Sequence, residues 1–213
     1  MPPNVDIMPG NHLSHQAQLL LWIDEDEMRA NALLICSDIF DRLGIKDWYI
    51  AAGFVRNLVW DKLHGNEHQP LNDIDVIYWC DIDVSVARDR AIETELRQRA
   101  DLPWSVKNQA RMHLKNGDKP YLSCFDAMSH WPEQQTAVGL RLLLSEALGH
   151  HAQHQTSLSQ TTGLSRLKIC AVFGLACLFD FTLTPNPTRD KKIFVSRVVQ
   201  KDWLNQYPKL TQV

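Results

Sequence analysis

The sequence predicts a mixed α/β (α+β) domain, a mixed sheet flanked by helices with a C-terminal extension. Helical apolar spacings alternate with short β-rich runs along most of the chain. Beyond two acids, the run from Ile74 to Trp79 turns apolar on both faces, as a strand covered on both sides must. Glycines stand where the helical periodicity stops, at Gly44 and Gly65.

In chain order, residues 1–11 read as a loose tail and 14–43 as two helices broken around Trp22 to Glu25. Asp24, Glu25, Asp26 and Glu27 suit a helix start, where negative charge meets the positive end of the dipole. Leu33, Leu34, Ile39, Phe40 and Leu43 then form an apolar face. Trp48 to Ala52 is β-type, and Phe54 to His64 pairs Phe54 with Leu58 and Val55 with Val59 at helical spacing. A polar loop at 66–72 leads to a strand from Ile74 to Cys80 and a charged helix from Val84 to Ala100. Trp104 to Leu114 reads as a strand closed by the Asn116-Gly117-Asp118 turn, and 136–144 as another. The last helix runs from Lys191 to about Asn205. The expected division is a core with N-terminal helices over 1–145, a polar loop over 146–163, and a C-terminal extension packed on the core over 164–213.

The 213 residues suffice for one domain, and 45% hydrophobic content supports a buried core. A net charge of -3 leaves no basic field to hold a long nucleic acid unaided, so nucleic acid is a disfavoured partner. Five cysteines without a CxxC suggest neither a disulfide framework nor a zinc ribbon, but free thiols in a reducing cytoplasm. No signal-peptide pattern opens the chain, and Ile169 to Phe179 is too short to span a bilayer, so no membrane partner is expected.

The chemistry concentrates in Asn72-Asp73-Ile74-Asp75. Strand side chains alternate, so Asp73 and Asp75 share a face. Two carboxylates at the mouth of a buried strand repel each other and lose hydration, and a cation must compensate. A divalent metal does so, and magnesium favours one or two carboxylates completed by substrate phosphates. The spacing alone fits equally a solvent-facing pair or one paired with Arg or Lys. A second piece lies at Ala51-Ala52-Gly53-Phe54-Val55-Arg56-Asn57, where a glycine joins strand to helix. Such a turn presents free backbone N–H groups to an anion. Arg56 in the first turn opposes the dipole, which makes sense if an anion arrives; it could instead pair with Asp73 or Asp75 or extend to solvent.

The strings Trp48 to Gly65, Asn72 to Tyr78 and Trp104 to His113 resemble a bacterial family of nucleotidyltransferase-like proteins. Pro120-Tyr121, Asp126-Ala-Met128 and Trp131-Pro-Glu133 share the likeness, which covers roughly residues 45–210. The Gly-x-Val-Arg turn followed by DxD is more distantly similar to the poly(A) polymerase and CCA-adding superfamily. The resemblance implies a nucleotidyltransferase-like sheet and transfer of a nucleotidyl group from a nucleoside triphosphate to a hydroxyl acceptor. It implies magnesium, as one ion or two, on Asp73 and Asp75, with Gly53 and Arg56 holding phosphates and Arg56 also offsetting transition-state charge. Asn57 stands where many relatives carry an acid. Ala52 replaces the first glycine of the usual pair, and no third strand carboxylate is evident, with Asp126 and Glu133 as weak candidates.

Lys107, Gln109 and Arg111 would alternate on one strand face, either contacting substrate or bridging the two acids. Asp81 and Asp83 suit a helix cap. His150, His151 and His154, in a polar stretch without acid partners, read as solvated. Trp203 and Lys201 read as packing or snorkelling on the last helix. Two alternatives stand beside the transferase: a catalytically inactive nucleotide-binding protein, and an interaction module on the same fold.

Overall fold

A computed structural model describes residues 13–66, 70–143 and 166–213. The expected histidine cluster and the whole of the expected polar loop over 146–163 lie outside these residues. Helices α1 (His15–Glu25) and α2 (Glu27–Arg42) are separated by Asp26, whose carboxylate accepts from the Arg29 amide and starts α2. Strand β1 (Trp48–Ala51) runs into α3 (Gly53–His64), which ends on Gly65 in the left-handed conformation. Strand β2 (Ile74–Tyr78), α4 (Val86–Arg99), β3 (Trp104–Asn108), α5 (Gln109–Asn116), α6 (Cys124–Ser129) and β4 (Val138–Leu142) follow. The chain continues through β5 (Leu167–Ala171), α7 (Ala176–Phe179), β6 (Thr182–Leu183), α8 (Lys191–Lys201), α9 (Trp203–Gln206) and β7 (Thr211–Gln212).

Five strands form one mixed sheet in the order β3-β2-β1-β4-β5, with β2 and β3 parallel and the other neighbours antiparallel. The expected C-terminal extension thus supplies the edge strand β5, while β6 and β7 form a separate parallel pair. Strand alternation sorts the side chains as the sequence implies. Ile74, Val76 and Tyr78 enter the main core with residues of α2, α3 and α4. Ile77 and Tyr49 face a smaller core with Cys124 and Met128 of α6. A third cluster, centred on Trp60, gathers Phe194, Val198, Trp203 and Tyr207. All five cysteines are free, and no helix among the described residues is long and apolar enough to cross a membrane.

Two local expectations are corrected. The strand expected over 104–114 ends at Asn108, whose buried side chain accepts from the Ala110 amide at 3.1 Å and starts α5. Alternating polar and apolar residues imitated a period of two, but a buried Asn cap decides for helix. Helix α4 is capped by Ser85, whose hydroxyl accepts from the Arg88 amide, rather than by Asp81 or Asp83. Asp83 instead braces the cap by accepting from the Ser85 amide at 2.9 Å.

Gly139 of β4 lies beside β1 where a Cβ would sit 2.9 Å from the Tyr49 Cβ and 3.4 Å from the Ala51 Cβ. Neither atom can swing aside, because each is fixed to a sheet backbone. Gly139→Ala should therefore destabilise the fold by about 2 kcal/mol, read as a lower denaturant midpoint.

Candidate active site

Sheet register builds the site. Antiparallel pairing sets Ala51 of β1 opposite Asp75 of β2, so the chain leaves β1 for α3 directly beside the acids. Ala52 makes the turn, its amide donating to the Val138 carbonyl at 2.9 Å. It holds φ 52° and ψ -119°, a region that suits glycine and costs a residue with a Cβ roughly 1–3 kcal/mol. The amides of Val55 and Arg56 close onto the Ala52 carbonyl. Those of Gly53 and Phe54 open the helix, where no preceding turn can accept them.

Gly53 keeps this mouth open. A Cβ at that position would stand 3.5 Å from both Arg56 Nη2 and Asn57 Nδ2. Both are donors, so the space that a side chain would fill is lined for an anion.

Arg56 neither pairs with the acids nor reaches solvent. Its side chain is buried, with the residue only 7% exposed, and both Nε and Nη2 donate to Asn57 Oδ1, at 3.1 and 2.8 Å. Its guanidinium carbon lies 5.0 Å from the Trp60 ring centroid and 4.6 Å from that of Trp203. Burial brings its pKa down to about 10, while Glu133, Tyr207 and Asp75 favour the charged form. Asn57 accepts this cation's hydrogen bonds.

Asp73 is exposed and Asp75 half-buried at the rim of the sheet. Burial first, then the charge of Asp73, pushes the Asp75 carboxyl up to about 6, against the opposing pull of Arg56, Lys201 and Lys107. Lys107 remains exposed on β3, its Nζ donating to the Val106 carbonyl at 3.0 Å. The other two residues expected on its face leave it, because the strand has become helix. Gln109 is buried and donates to the Lys107 carbonyl. Arg111 pairs with Asp89, which also accepts from the Tyr78 hydroxyl at 2.8 Å. These two residues brace the junction of β2, α4 and α5.

Neither weak candidate joins Asp73 and Asp75 as a third acid. Glu133 is fully buried and accepts from Arg197 Nε at 2.5 Å and from the Thr136 hydroxyl. Asp126 accepts from the Leu122 amide within its own turn. The β3 position across from Asp75 is Ser105. Among the described residues, no group of three His, Cys, Asp or Glu side chains is arranged for a metal. The pair of oxygen ligands nonetheless fits magnesium, which takes one or two carboxylates plus phosphate oxygens. Trp203, which lies against Arg56, is the residue at this site that sequence reasoning missed. About 150 residues of chain separate it from Gly53, and helical spacing marked it only as packing.

A mixed sheet whose glycine turn opens beside paired acids matches a nucleotidyltransferase head domain. The family model for nucleotidyltransferase matches residues 38–212, and the chain belongs to that family. A solved structure described as an NMR structure revealing a CCA-adding enzyme head domain is 29% identical, with a TM-score of 0.69 over 92% of this chain and 94% of that one. A CCA-adding enzyme in complex with CTP shares the fold at 13% identity and a TM-score of 0.52, over 92% of this chain and 42% of that one. No curated protein matches the chain significantly.

Two stability measurements follow from this geometry. Ala52→Gly should raise the free energy of unfolding by about 1 kcal/mol, read as a higher denaturant midpoint, since relief of the positive φ exceeds the entropy cost of a glycine. Asp75 has a folded pKa above its ordinary 3.8, so folding favours its protonated form. That contribution is complete below about pH 4 and is lost as the pH rises through about 6. In chelator, Asp75→Asn should match the wild type at low pH and exceed it by about 2 kcal/mol at pH 8, in melts across the range.

Proposed function

We propose that this protein transfers a nucleotidyl group from a nucleoside triphosphate to a hydroxyl-bearing acceptor, with magnesium held by Asp73 and Asp75. The observation that carries the proposal is the cross-strand pairing of Ala51 with Asp75, which sets a donor-lined turn against a carboxylate whose ionised form is disfavoured when unpaired. Family membership supports the reaction class.

In the reaction, the acceptor oxygen bonds to the α-phosphorus, the bond from that phosphorus to the bridging oxygen breaks, and pyrophosphate departs as the hydroxyl loses its proton. Bound magnesium would polarise phosphoryl oxygens and make the acceptor hydroxyl more acidic. The amides of Gly53 and Phe54 and the Arg56 guanidinium bind the phosphates and offset charge that grows on them. Asn57 holds Arg56 in its orientation, and its Nδ2 faces the same space. Lys107, exposed beside Asp75, adds a mobile cation. Burial of Arg56 strengthens its pull, because little water competes for it.

Two acids with Ser105 across from Asp75 favour one second reading, a nucleotide-binding protein without chemistry. Incubation with labelled nucleoside triphosphate and magnesium separates the two. Transfer of label to an acceptor supports the enzyme, whereas nucleotide binding without transfer supports the alternative. Asp73→Asn and Asp75→Asn should each lower transfer roughly a hundred- to a thousandfold while circular dichroism shows the native fold. Full activity in both variants would place the chemistry elsewhere.

A further inference from the structure

Resting on the nucleotide-binding part of the proposed function, we infer that the turn joining α8 to α9 completes the triphosphate site from the far end of the chain. Trp203 is a positioning residue for Arg56.

The geometry around Arg56 assigns this role. The Trp60 and Trp203 rings meet at 80° with centroids 6.0 Å apart, and both lie within 5.0 Å of the guanidinium carbon. They form a corner rather than a parallel stack. A planar cation set in that corner, with one edge tied to Asn57 Oδ1, has few orientations left. Its Nη2 remains at the Gly53 mouth, where a phosphate oxygen would sit. Without Trp203, a face of the guanidinium would lose its cover, and the side chain could turn from the mouth toward the space left behind.

The turn itself is firmly held. Asp202 takes the left-handed conformation at φ 54° and ψ 32°, ending α8 and starting α9 within one residue. Asp and Asn tolerate this region better than most residues with a side chain. Upstream, Arg197 of α8 bonds to the buried Glu133. Downstream, the Tyr207 hydroxyl donates to Asp61 of α3 at 3.0 Å, and its ring meets Trp60 at 5.1 Å. Trp203, the first residue of α9, is therefore held in place against the Arg56 guanidinium.

Calorimetric titration of the full chain with inorganic tripolyphosphate in magnesium chloride tests this directly. Trp203→Leu should weaken binding roughly tenfold and Trp203→Phe should stay within about threefold of wild type, because an aromatic face is restored. The inference is overturned if wild-type protein does not bind tripolyphosphate, if a folded Trp203→Leu binds as tightly as wild type, or if Trp203→Phe is as weak as Trp203→Leu. Should Trp203→Leu fail to fold, Trp203→Met, which keeps much of the volume without an aromatic face, decides the matter, and wild-type affinity in that variant overturns the inference. Wild-type protein that binds tripolyphosphate but transfers no nucleotide would remove the transferase reading and leave this inference standing.

Discussion

A buried guanidinium is the constraint around which the rest of the molecule is arranged. Taking Arg56 out of water is costly, and burial alone lowers its affinity for a proton. The fold answers with the side-chain oxygen of Asn57, two indole rings and the more distant charges of Glu133 and Asp75. None of these partners forms a tight ion pair with it. Arg56 consequently keeps unspent attraction for an anion, at a turn whose amides and missing Cβ leave room for one. A carboxylate bound directly to Arg56 would have stabilised the free protein and closed the site.

The acids present the complementary imbalance. Asp75 is half-buried and close to Asp73, and the lysines whose charge favours its ionised form are exposed to solvent. Its ionised form is therefore poorly compensated in the free protein. A cation disfavoured by burial in the first turn of α3 and an anion disfavoured by burial on β2 are placed by the sheet register of Ala51 and Asp75. Magnesium with a polyphosphate would relieve both at once. Strain at Ala52 belongs to the same pattern: a residue with a Cβ occupies a glycine conformation at the point where the chain must turn tightly beside β4.

Much of this was legible in the chain. Strand β2 was marked by apolar residues on both faces beyond Asp75, and the two cores on either side of it confirm why. The strand-glycine-helix turn followed from Gly53 and from the periodicity of Phe54, Leu58 and Val59. The acid pair followed from alternation. The run after Trp104 was misread, because Lys107, Gln109 and Arg111 alternate as strand residues do. The decision lay with Asn108, whose amide group is buried against the Cys80 and Asp83 carbonyls and free to cap a helix. Such a long-range anchor leaves no trace in local spacing.

Local sequence, then, determined β1, α3 and β2 in their order, the placement of Asp73 and Asp75 at a strand mouth, and the anion-ready turn at Gly53. These rest on periodicity, turn chemistry and the absence of a side chain, which act between near neighbours. Tertiary structure alone decided that β5 would complete the sheet, that Arg56 would be enclosed rather than paired, and that Trp203 would reach Arg56 from the last helices. The first depends on strand pairing about thirty positions apart, and the enclosure of Arg56 by Trp203 on a contact about 150 positions apart. Packing of α8 and α9 onto α3 sets the latter, and no spacing along the chain encodes it.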